Sequence, residues 1–167
     1  MLFRENNFFR GFFDGAFLYF FSIKIFQLLK YESELIMNSP VIKYSQIVMP
    51  QDANVLGTLF GGQMVSWMDI AAAKAVHRFL KGTPADAALT RAIDAIEFKE
   101  TVHVGNWVNF EAQIVSTGKS SINIQIDAYK ETKNVERLLA CTARFTFVSV
   151  KKLQDGSYEK IAHDKNH

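Results

Sequence analysis

From residue 41 onward, apolar and polar positions follow two rhythms. Val41–Met49 alternates as a half-buried strand does and stops at Pro50, and Gln51–Gly57 is rich in turn formers. Gly61-Gly62 then marks a tight bend, and Gln63–Leu80, rich in Ala and Met and free of Pro and Gly, predicts a helix about 27 Å long. Lys81-Gly82-Thr83-Pro84 closes it with a basic turn, a glycine and a proline. The period then returns to two. Strands are predicted over Ala88–Lys99, over Asn106–Ser116 with Val108, Phe110, Ala112 and Ile114 on one face, over Ser121–Asp127, and over Leu138–Val150. Thr117–Ser120 is the turn of a hairpin, and the polar tail from Lys152 is expected to be loose. The result is an α+β domain over residues 41–151: one long helix against an antiparallel sheet of about five strands, with 152–167 as a tail.

The helix constrains how that sheet is shaped. Before Lys74 it has almost no polar face, and a helix apolar all round is expected to be buried all round. A flat sheet covers one side only, so the sheet must curl around the helix, or a second subunit must cover the rest, or both. Asp69 breaks the apolar run, and its neighbours three and four positions away (Val65, Ser66, Ala72, Ala73) include no cation. Such a carboxylate is costly unless another element satisfies it. It is read either as a structural group paired from elsewhere or as a general base or nucleophile made more basic by apolar surroundings. The Gly61-Gly62 approach leaves backbone N–H groups free at the positive end of the helix dipole, where they could hold an oxyanion. Its plain alternative is a tight turn.

Composition narrows the field. A net charge of +2 gives no argument for nucleic acid, and a single cysteine, Cys141, excludes an internal disulfide and fits a reducing, cytoplasmic setting. His77, His103, His163 and His167 show no metal-ligand spacing, so no metal is expected. Cys141 reads as a small buried thiol rather than a nucleophile. Residues 1–37 differ in kind: nine of the fifteen phenylalanines precede residue 27. Three readings compete there. One is a membrane-attached helix, burdened by Asp14 and Lys24; one is a signal peptide without a small-residue cleavage site; one is an upstream extension that is not translated, with Met37 as the true start.

The run Met49-Pro-Gln-Asp-Ala-Asn54-Val-Leu-Gly57, followed by Phe60-Gly61-Gly62 and Met68-Asp69, resembles the acyl-CoA hydrolases of the hotdog fold, both the bacterial YciA-like enzymes and the brain-type cytosolic ones. The resemblance runs more loosely through Phe98 and the turn Gly118-Lys119-Ser120-Ser121, covering roughly 41–151. It implies a central helix wrapped by an antiparallel sheet, pairing of two units edge to edge, assembly of pairs into hexamers, and an active site between subunits. It places the catalytic carboxylate on Asp69 and a partner amide on Asn54 from the other subunit, with the amides of Gly61 and Gly62 polarising the thioester carbonyl. Coenzyme A, as part of the substrate and not as a cofactor, is implied at Gly118, Lys119, Ser120 and Ser121, with Lys99 a weaker candidate; an ordinary hairpin with a solvated lysine is the alternative. Ala71-Ala72-Ala73 stands where relatives often carry glycine. A hotdog dehydratase would use a histidine followed by a Pro-rich turn, which is absent, and His77 beside Arg78 reads as a helix-end residue. A non-catalytic acyl-CoA sensor and a membrane-tethered thioesterase stay as alternatives.

Overall fold

A computed structural model describes residues 22–27, 40–134 and 136–165. The chain divides into Met1–Asn38 and Ser39–His167. In the first unit residues 22–27 are helical, and the readings made for the rest of 1–37 lie outside the described residues. Among the described residues no helix is long and apolar enough to cross a membrane.

In the second unit the elements run β1 (Ile42–Ile47), a 3-10 turn (Pro50–Asp52), α1 (Gly61–Phe79), β2 (Ala87–Phe98), β3 (Trp107–Thr117), β4 (Ser121–Glu131), β5 (Arg137–Lys152) and β6 (Tyr158–Lys160). The sheet is antiparallel in the order β1-β3-β4-β5-β2. Alternation decides its inner face: Val108, Phe110, Ala112 and Ile114 of β3 and Ile122, Ile124, Ile126 and Ala128 of β4 are all buried. The long axis of α1 lies against this face, and Met64, Trp67, Met68, Ala71, Ala72, Ala75, Val76 and Phe79 are buried. Trp67 meets Phe110 edge-on, with ring centroids 6.3 Å apart. Met68 and Phe110 are both fully enclosed, and this layer is the core.

Two expectations are corrected, on the helix start and on the tail. The helix begins at Gly61, not Gln63, so the glycine pair forms its first turn instead of a bend before it. Of the alternatives for covering α1, the chain's own sheet alone leaves Gly62, Ser66, Ile70 and Ala73 as an exposed stripe of small and apolar residues. The tail is not loose. β6 pairs with β5, and His163 beyond it is 1 % exposed. Val150 pairs with Ala87 on one side and Lys160 on the other, so β6 takes up the line that β4 leaves.

The two sheet edges differ. On β1 the carbonyl of Lys43 accepts a hydrogen bond from the Lys74 ammonium of α1 at 3.0 Å. On β2 Leu89, Ile93, Ile96 and Phe98 are exposed, and the pairing with β5 slips twice, between Thr90 and Ala92 and between Asp94 and Glu97. Ala95, inside the second slip, has φ of 51°, a left-handed conformation that a residue with a Cβ rarely adopts.

Candidate active site

Asp69 lies in the third turn of α1, on the border between the buried face and the exposed stripe, and is half-buried. It is not sealed in the core. The Thr90 hydroxyl, from β2, donates to Asp69 Oδ1 at 2.8 Å. The other oxygen, Oδ2, has no hydrogen-bond partner among the described residues. A carboxylate held by one oxygen, with the other turned to an open face, can take a proton or attack an electrophile without first breaking an ion pair. The structural partner left open by the sequence is therefore a neutral hydroxyl and not a cation.

The N-terminus of α1 is built differently. Phe60 is the N-cap and has no side-chain hydrogen bond to give, and its carbonyl accepts from Gln63 and Met64 at 3.0 and 3.1 Å. The N–H groups of Gly61 and Gly62, ahead of the first helical acceptors, have no hydrogen-bond partner among the described residues. A Cβ at 62 would stand 2.6 Å from Phe60 Cε1, so any larger residue there requires the exposed Phe60 ring to swing aside. The preceding loop is tied to itself. Asn54 Oδ1 accepts from the backbone N–H of Leu56 (2.9 Å) and Thr58 (3.2 Å), and its Nδ2 donates to Thr58 Oγ1 at 2.9 Å. The Phe60 N–H donates to the Asp52 carbonyl at 2.9 Å, so the Asn54 loop and the glycine pair form one rigid piece. Its tip, Val55 and Leu56, is fully or largely exposed.

These pieces do not converge on one point within one chain. Asp69 is eight residues past Gly61, which is about 12 Å along the axis. A reacting carbonyl held by the Gly61 amide of a chain is out of reach of the Asp69 of that chain. Nor does any hydrogen bond join Asn54 to Asp69 among the described residues.

The comparisons with known proteins bear on this geometry. Residues 56–136 match the thioesterase superfamily. An uncharacterised acyl-CoA thioester hydrolase of Zymomonas mobilis is 30% identical over 105 residues, 62% of this chain and 68% of the relative. The hexameric thioesterase of Yersinia pestis superposes with a TM-score of 0.63 at 31% identity, over 74% of this chain and 96% of that one. The chain belongs to the thioesterase superfamily. A further solved relative, a hexameric broad-specificity acyl-coenzyme A thioesterase, has a TM-score of 0.63 at 27% identity, over 77% of this chain and 85% of that one. The curved sheet around a long helix is thus the hotdog fold.

In this thioesterase-superfamily chain the remaining site candidates fall at the two ends of α1. Lys99 joins Gly61, Met64, Phe98 and Val102 in lining a groove of about 300 Å³ beside the N-terminus of α1. Its ammonium bonds the Glu97 carboxylate at 2.6 Å and holds that carboxyl below its usual range. A larger cavity of about 620 Å³, floored by Ala73, Val76 and Leu80, lies at the other end, with His77 on its rim. Gly118–Ser121 also lies toward that end, because His163 touches both it and Phe79. Lys119 is exposed there and Ser120 is buried. The thiol of Cys141 is buried and pushed up to about 11 by that burial, which makes it inert packing as expected. Among the described residues no cluster of His, Cys, Asp or Glu could hold a metal ion.

Sequence reading missed Thr90 and His163. Thr90 sits in a strand whose slipped pairing conceals which side chains turn inward. His163 sits in a run that is polar throughout.

Proposed function

We propose that the protein hydrolyses the thioester of acyl-CoA to a fatty acid and free coenzyme A, at a site completed by two copies of the chain. The observation that carries the proposal is the mid-helix carboxylate held at Oδ1 by Thr90 with Oδ2 free. Asp69 of one copy would face the Asn54 loop and the Gly61-Gly62 amides of the other, a division that the rise of about 12 Å between Gly61 and Asp69 along α1 supports. The exposed stripe on α1 and the apolar residues of β2 support such pairing. The hexamers named for the solved relatives support assembly of the pairs into a trimer of dimers.

In the reaction the carbonyl oxygen sits on the Gly61 and Gly62 N–H groups, with the helix dipole behind them. Asp69 either removes a proton from a water that attacks the carbonyl carbon, or attacks that carbon itself before water releases the acyl group. Asn54 orients the attacking group. The tetrahedral oxyanion collapses, the C–S bond breaks, and the thiolate takes up the proton. Products are a carboxylic acid and the thiol of coenzyme A, with no cofactor consumed. Lys99 and the Gly118–Ser121 turn supply contacts for the coenzyme A moiety. We place the reaction in the cytoplasm, where the single reduced thiol of Cys141 is at home.

The test is thiol release from acyl-CoAs of short, medium and long chain by the full-length protein and its Asp69→Asn variant. The proposal expects hydrolysis by the parent and a loss on the order of a hundredfold or more in the variant. Binding of acyl-CoA without turnover by the parent would make the protein a sensor and Asp69 a structural group.

A further inference from the structure

Beyond β6 the C-terminal segment packs on the β3–β4 turn and the end of α1, and most of its donors there are aimed at backbone carbonyls. The His163 N–H donates to the Lys119 carbonyl at 3.2 Å, and its Nε2 lies 3.5 Å from the Ser121 carbonyl. Its Nδ1 accepts the N–H of Lys165 at 3.2 Å, which leaves the ring hydrogen on Nε2 to face Ser121. The ring stands edge-on to Phe79, centroids 5.2 Å apart. The Lys165 ammonium closes the end of α1 by donating to the carbonyls of Phe79 and Lys81 at 2.7 and 2.6 Å. Ser149 completes the set: its N–H donates to the Ser120 carbonyl at 2.8 Å, and its single hydroxyl hydrogen goes to the Ile161 carbonyl at 2.6 Å, with the Ser120 carbonyl 3.2 Å from the same oxygen.

Two successive carbonyls of the β3–β4 turn are therefore held from outside it, Lys119 by the His163 N–H and Ser120 by the Ser149 N–H, while the Ser121 carbonyl accepts the Gly118 N–H at 2.8 Å within the turn and has His163 Nε2 beside it. In a trans peptide the N–H points opposite to the C=O of the same unit. Pinning the Lys119 carbonyl to the tail turns the Ser120 N–H away from it. The N–H groups of Lys119 and Ser120 have no hydrogen-bond partner among the described residues. With the exposed ammonium of Lys119 beside them, they are donors of the kind that takes a phosphate.

We propose that the C-terminal segment sets the polarity of the Gly118–Ser121 turn for the phosphate end of the substrate, with His163 as the positioning residue. The proposal rests on the acyl-CoA reading. The His163 ring, set edge-on against Phe79 and bonded to the Lys165 N–H, anchors the segment whose backbone N–H holds the Lys119 carbonyl, so His163 acts through the turn and not on the thioester or the reacting water. Its loss weakens binding of the phosphate-bearing part of the substrate and leaves the chemical step alone.

The experiment compares two substrates, an acyl-CoA and the same acyl group on pantetheine, which has the thioester and amide arm but no phosphate. Full-length parent, His163→Ala, His163→Gln and Lys165→Met proteins are assayed on both, after circular dichroism and size-exclusion chromatography establish which variants fold. The expected result for His163→Ala is a KM for acyl-CoA raised about tenfold with kcat within about twofold, and unchanged constants on acyl-pantetheine. His163→Gln, which keeps an amide donor toward Ser121, recovers part of the loss. If His163→Ala does not fold, the same split is required of His163→Gln and Lys165→Met at smaller size. An equal change on both substrates, or none on either, overturns the proposal and leaves the tail as packing. If the parent hydrolyses neither substrate, the acyl-CoA reading itself fails, a result distinct from the loss of the split.

Discussion

Replacing Thr90 with valine removes one hydroxyl and keeps the branched shape of the side chain. What is lost is the 2.8 Å hydrogen bond to Asp69 Oδ1. A hydrogen bond to a charged acceptor contributes about 1.5–3 kcal/mol when shielded from water. Asp69 is half-buried and Thr90 is exposed, so solvent takes roughly half of that, leaving about 1.1 kcal/mol. Little of this appears as stability, because water replaces the hydroxyl at an exposed site. It appears in catalysis instead, because a carboxylate free to turn about its χ angles spends most of its time off the reacting geometry. The expected result is a kcat about sixfold lower with KM little changed, an unfolding midpoint within about 2 °C of the parent, and recovery in Thr90→Ser. Thiol release on one acyl-CoA, measured for parent and both variants, decides it. A kcat unchanged in Thr90→Val would refute the reasoning: Asp69 would then be oriented by something other than this hydroxyl.

Two further outcomes follow from the same geometry. Ile70→Lys puts an ammonium in the exposed stripe of α1, 47 % exposed in the single chain; the chain should fold, and sedimentation should show a smaller assembly than the parent, with unchanged mass counting against pairing through this face. Cys141 has its folded value raised to about 11 by burial, so unfolding alone releases a thiolate once pH exceeds its ordinary value near 9. Stability contributed by the buried thiol is intact below pH 9 and lost as pH rises toward 11; the parent's thermal midpoint should fall more steeply across that window than that of Cys141→Ala, and the native thiol should not react with a disulfide reagent at pH 8.

The sequence made the central helix legible because three signals coincided there: the 3.6-residue period, Ala-rich propensity and a Lys-Gly-Thr-Pro stop. Clean alternation did the same for β3 and β4, whose inward residues are those expected. Asp69 stood out because it interrupts an apolar run, but its degree of enclosure did not, since enclosure depends on which neighbours the sheet brings and which a second copy brings. Thr90 was hidden by irregular pairing, which breaks the link between parity in the sequence and face in the sheet. The tail misled for a different reason. Tyr158–Lys165 contains four charged residues in eight, yet its backbone and one imidazole make the contacts, and composition does not report on them. The division of the proposed site between copies was available only from the resemblance, because the pattern along a single chain does not distinguish a helix face covered by its own sheet from one covered by a neighbour.

The unequal sheet edges decide what kind of growth the fold permits. A sheet open on both sides can recruit copies without end, each offering the next a fresh ledge, which is the geometry of a fibril. On this one the Lys74 ammonium reaches over β1 and occupies a carbonyl there, so an incoming strand on that side would have to displace a charge. Among the described residues β2 is the other long ledge, and its two slips and the strained Ala95 bend it away from the flat, even line that any strand could match. A single long ledge that only its own counterpart can match favours growth along the sheet that ends with one partner.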